Sequence, residues 1–179
     1  MNEAHLHVAL NHFPVVGAVI AAGILITGLV WKNVSIQKTS LWLFIFIALL
    51  AIPVLLTGEG AKEIVEHLPA VDEEVIEKHE QFATISFWLL IITGLFSMVQ
   101  LFILKRWNTT SKFTLLIALL AITASGMAGL TANAGGKIRH TEFATSPANE
   151  ETEIKAIEND EPVNEKDKGR GRKRKGRDR

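Results

Sequence analysis

No cysteine occurs among the 179 residues. That absence excludes disulfides, thiolate metal sites, iron–sulfur clusters and covalent haem attachment through a CxxCH motif. Metal chemistry in this chain falls to histidine, carboxylate or methionine, and with three methionines in all there is no Met-rich motif suited to Cu(I). Also missing are a phosphate-binding glycine loop, a defensible Ser/His/Asp arrangement and HExxH, so an independent enzyme is not expected.

Charge is absent where its absence is most informative. Stretches 13–31, 41–57, 82–104 and 113–134 contain no Asp, Glu, Lys or Arg. Each is close to the roughly 20 residues that cross a hydrocarbon core of about 30 Å, and in lipid each must be a helix to satisfy its own backbone. The first stretch follows MNEAHLH, which has no Lys or Arg, and it is longer than a signal-peptide core, so it is expected to stay in the mature protein. No charge inside the spans marks an ion path, which argues against a transporter.

The links set the connectivity. Residues 32–40 and 105–112 are short and together carry five cations and no anions, which suits tight hairpins and an up-down-up-down all-α bundle. Residues 58–81 hold eight acidic residues and two lysines, a net charge of minus six. Within them Ala61, Ile64, Val65 and Leu68 fall at helical spacing before Pro69, predicting a short amphipathic helix between spans two and three. Asp72 and the acids after it read as the N-terminal cap of a third helix that starts before the bilayer, with Val75, His79, Phe82 and Ser86 on one face. The membrane domain is expected over 1–142. Residues 143–179, acidic over 150–161 and basic over 166–179, lack the apolar pattern of a core and read as a disordered tail. No long internal repeat is evident.

The cationic links place 32–40 and 105–112 in the cytoplasm, with Trp31, Trp42 and Trp107 as interfacial anchors and both termini in the periplasm of a bacterial inner membrane. The nine basic residues of 166–179 then face anionic lipid or an acidic protein rather than nucleic acid.

This topology gathers all six histidines on one side: His5, His7 and His12 before span one, His67 and His79 in the central link, and His140 after span four. His5 and His7, near the terminus, read as solvated, and His67 as equally a polar helix edge. Any one of His12, His79 and His140 is most simply an interfacial polar tip; their coincidence favours a site. Diagonal helices one and three should stand roughly 11–14 Å apart, too far for two imidazoles to touch but suited to iron between them. With Asn11 as cap and Pro14 in the first turn, His12 would sit at the positive helix end that favours a neutral imidazole, while Glu77 or Glu80 could orient His79. The row Ala121, Ser125, Gly129 and Asn133, continued by Gly136 and His140, reads first as close helix packing and second as room for a flat cofactor. Arg139 reads as a partner for a haem propionate or as a snorkelling flank.

The order NHFP before span one, EHLP and KHE around the central link, and GGKIRH after span four resembles the bacterial membrane proteins grouped as domain of unknown function 2231, over about residues 5–142. That resemblance implies a four-span inner-membrane protein linked to b-type haem and respiratory redox chemistry. It carries His12, His79, Gly135 and Gly136 over as family positions, with His140 a subgroup feature.

Three functions follow as expectations. The first is a membrane electron carrier holding haem b through His12 and His79, with His140 and His67 assisting or holding a second cofactor, Arg139 and Gly136 beside the site, and a quinone or cytochrome as redox partner. The second is a Zn or Cu site on the same histidines with Glu66, Glu80 or Glu142. The third is a non-catalytic membrane subunit whose histidines only decorate the interface.

Overall fold

The computed structural model describes residues 3–66, 73–107 and 112–139. The chain is an all-α four-helix bundle: α1 (Glu3–Val30), α2 (Val34–Val65), α3 (Glu73–Trp107) and α4 (Lys112–Arg139). All four are long and apolar enough to cross a membrane, and this is a multi-pass membrane protein. Neighbours in sequence pack side by side, α1 with α2, α2 with α3 and α3 with α4, and α1 closes the ring on α4. Helices α1 and α3 therefore lie on a diagonal. Asp72 and the tail from residue 140 lie outside the described residues.

The helices outrun the uncharged stretches. Helix α1 begins at Glu3, so Asn11 is not its cap and Pro14 lies in its interior. Pro14 is buried, and its missing N–H leaves one carbonyl of the preceding turn without its usual donor. Helix α2 runs unbroken through Pro53 to Val65. Up to Val65 the segment expected as a separate amphipathic helix is thus the last part of α2; Leu68 and Pro69 lie outside the described residues. The first link is also shorter than the charge pattern implied. Lys32 takes a left-handed conformation (φ 51°). The N–H groups of Lys32 and Asn33 bond back to Leu29 O and Gly28 O, and the Asn33 side chain accepts from the N–H groups of Ser35 and Ile36. These paired caps turn the chain within three residues and start α2 at once.

Burial exposes a repeat that residue identity hides. The buried positions of α1, Pro14, Ala18, Ala21, Ala22, Leu25 and Gly28, each have a buried counterpart 72 residues on: Ser86, Leu90, Thr93, Gly94, Ser97 and Gln100. Gln37, Ser40, Leu41, Phe44, Ile47 and Ala51 of α2 map in the same way onto Thr114, Ile117, Ala118, Ala121, Ala124 and Ala128 of α4, 77 residues on. The α1–α2 and α3–α4 hairpins are thus structural equivalents, related about an axis along the bundle, the parallel form of internal repeat known in membrane proteins. One hydrogen bond spans each hairpin at the same level: Gln37 Nε2 donates to Gly28 O (3.0 Å), and Gln100 Nε2 donates to Thr114 Oγ1 (2.8 Å).

Candidate histidine site

The two equivalent diagonal helices each send one imidazole inward at the end away from the hairpin turns. His7 on α1 and His79 on α3, themselves 72 residues apart, are half-buried, with ring centres 6.4 Å apart and planes at 87°. The two rings thus meet across the α1–α3 diagonal, and glycines on the neighbouring helices make room for them. Gly58 of α2 lies against His7, where an added Cβ would meet Cε1 at 3.4 Å, and Gly135 of α4 lies against His79, where an added Cβ would meet Cε1 at 2.9 Å. Each ring fits into a notch in the helix beside its own.

Each ring is also tied down in the same manner. His7 Nδ1 bonds to Val54 O at 3.0 Å and His79 Nδ1 to Thr131 O at 3.0 Å. Val54 and Thr131 both stand four residues before the notch glycine, and they are equivalent positions in the repeat. A carbonyl oxygen only accepts, so each Nδ1 carries the hydrogen. In the neutral ring the lone pair is then on Nε2, and the bond to Nδ1 fixes ring orientation as in metal-ligating histidines. Thr131 is held in turn, since its hydroxyl donates to Met127 O and lies 2.9 Å from Ser86 Oγ.

The sequence-predicted residues divide sharply. His79 lies in the site, and Val75, Phe82 and Ser86 share its inward face. His12 is exposed on the outer side of α1, with Nδ1 2.8 Å from Val8 O, so it does not face His79. The reason is angular: five residues separate His12 from His7, which turns it away from the stripe formed by His7, Pro14, Ala21 and Gly28. His7, expected to be solvated, is the inward residue, whereas His5 is exposed. Gly135 rather than Gly136 backs His79; Gly136 faces outward with open space at its Cα, as do Gly129 and Gly126. Glu80 does not orient His79, because it pairs with Lys62 Nζ at 2.9 Å on the exposed edge. Arg139 ends α4 and its side chain is not described; His67, His140 and Glu142 lie outside the described residues.

Heptad spacing could have identified His7. Seven-residue steps from His7 pass through small or apolar residues to Gly28, whereas the face of His12 continues into Val16 and Val19, both exposed to the surroundings of the bundle. Among the described residues no group of three or more His, Asp or Glu side chains converges to hold a metal ion, and the described part of the site is the His7–His79 pair. No protein-family model, curated protein or solved structure matches the chain.

Proposed function

We propose that this chain is a membrane electron carrier that binds b-type haem between His7 and His79, in a bacterial inner membrane with both termini on the periplasmic side. The facing histidine pair carries the reading. One metal ion with bonds of about 2.0 Å to one nitrogen of each imidazole, each nitrogen about 1.1 Å from its ring centre, would set the ring centres about 6.2 Å apart in a straight arrangement, against 6.4 Å here. Two is also the largest number of protein ligands that haem iron can take beside its porphyrin. Non-covalent binding needs no cysteine. The Val54 and Thr131 carbonyls hold the two rings in one tautomer, and the Gly58 and Gly135 notches hold them in place. When bound, the haem would supply one-electron chemistry, and the protein's part would be to hold His7 and His79 in place and exclude water.

Placement near one membrane face suits exchange with a quinone or a cytochrome on that side, and membership of the family that the NHFP, KHE and GGKIRH motifs resemble belongs to the same reading. A zinc or copper site on these histidines would need further ligands from water or from residues outside those described.

The test is a reduced-minus-oxidised spectrum of the full chain purified from haem-replete cells. A haem α band that disappears in His7→Ala and His79→Ala but persists in His12→Ala is the expected result. A colourless, iron-free preparation overturns the proposal. Loss of the band in His12→Ala alone would move the ligand back to the outer face.

A further inference from the structure

At the opposite end of the bundle, toward the hairpin turns, the interior is polar. Gln37, Ser40, Thr93, Ser97, Gln100 and Thr114 are all fully buried, at 0% exposure. Most have their hydrogens placed within the bundle: Gln37 and Gln100 across their hairpins as described, Ser40 Oγ to Ala21 O at 2.7 Å, and Thr93 Oγ1 to Leu89 O at 2.7 Å. Ser97 Oγ is the one buried side-chain nitrogen or oxygen without a partner among the described residues. Its hydroxyl is not a requirement of helix packing, because Leu25 fills the equivalent buried position of the first hairpin. A buried polar group without a partner is costly in an interior surrounded by lipid, and ordered water is the usual remedy in a polar, enclosed setting.

We propose that this layer encloses an ordered water that accepts the Ser97 hydroxyl hydrogen. The water donates to hydroxyl oxygens of the layer whose own hydrogens already go to carbonyls, as those of Thr93 and Ser40 do. It thereby links α3 of the second hairpin to α2 of the first and helps hold the two hairpins in register. This is a site separate from the histidines. Leu90 lies between Ser86 and Thr93 on α3, and Phe44 lies between Ser40 and Val54 on α2; both are buried, at 3% and 0% exposure, and close the interior between the two polar ends.

The experiment is water-edited solid-state NMR on the isotope-labelled full chain in lipid bilayers, with thermal unfolding of Ser97→Ala alongside. Rapid magnetisation transfer from water to Ser97 and to the Gln100 side-chain amide, with Phe44 and Leu90 remaining dry, is expected. Absence of transfer at Ser97 overturns the proposal. Ser97→Ala should lower the melting temperature by about 2–4 °C, the shift typical of one lost hydrogen-bonding partner in a chain of this size. An unchanged or higher melting temperature would mean that the native hydroxyl is dry, and would also overturn it.

Discussion

Replacing Gly135 with alanine, compared with the same change at Gly58, tests how the histidines are held, whatever they bind. At Gly135 the new Cβ would stand 2.9 Å from His79 Cε1 and 3.0 Å from Nδ1. The ring must move by roughly half an ångström to restore van der Waals contact, and the 3.0 Å bond from Nδ1 to Thr131 O is the first interaction to suffer. Overpacking of this kind costs about 1–3 kcal/mol, and a lost hydrogen bond about 1 kcal/mol. Alanine returns about 0.5–1 kcal/mol through its better helix propensity. The net destabilisation is about 1–3 kcal/mol, a fall in melting temperature of several degrees for a chain of this length. At Gly58 the corresponding contacts are 3.4 Å and 3.6 Å, ordinary packing distances, so the helix-propensity gain stands alone and the variant should melt at or slightly above the wild type. Paired thermal unfolding in detergent, with haem affinity measured on the same samples, reads both effects. Gly135→Ala as stable as Gly58→Ala would refute the notch as the element that positions His79. A fall in haem affinity of about 10-fold for each 1.4 kcal/mol of lost binding energy would show that the displaced ring is the ligand.

A tighter contact lies at the crossing of α2 and α3. A Cβ at Gly94 would come within 2.6 Å of Ala48 Cβ and 3.3 Å of Phe44 O, and because neither neighbour is a flexible side-chain end, Gly94→Ala should destabilise more than Gly135→Ala and Gly94→Leu should not yield a folded bundle, as judged by gel filtration and helical circular dichroism. Lys62→Ala removes the exposed ion pairs to Glu66 and Glu80 and should leave the melting temperature unchanged, since surface pairs of this kind contribute little; a clear drop would assign the pairs a structural role. The native chain has no cysteine, so single substitutions report topology without background. Glu77→Cys should react with a membrane-impermeant thiol reagent added to the periplasmic side and Lys38→Cys should not; the reverse pattern would invert the orientation.

The architecture was readable because it rests on long uncharged stretches and on the polarity of the links, which the bilayer makes decisive. The positions where reading stopped short have specific causes. The extent of α1 and α2 was underestimated because absence of charge reports the lipid-facing length, whereas helices continue as far as their backbone hydrogen bonds are met. Pro14 reads as a first-turn residue in the sequence, yet both Pro14 and Pro53 lie inside helices. In the sequence His7 reads as a solvated terminal residue and His12 as one of three histidines at interfacial depth; with α1 starting at Glu3, both lie on one helix and angular position decides between them. The repeat was invisible because equivalent sites hold unlike residues, Pro14 with Ser86, Leu25 with Ser97 and Phe44 with Ala121, and only burial shows that each pair occupies one place. Gly58 gives no signal by itself and Gly135 enters only through the family resemblance, since the role of each lies in a ring contributed by another helix.

The repeat has a mechanical consequence. Each hairpin is closed by its own turn at one end of the molecule, and a single connection, through residues 66–72, joins the two hairpins at the other. The only covalent junction between the two hairpins among these elements is thus at the end that carries His7 and His79, and at the other end the hairpins are held together by packing alone, α1 on α4 and α2 on α3.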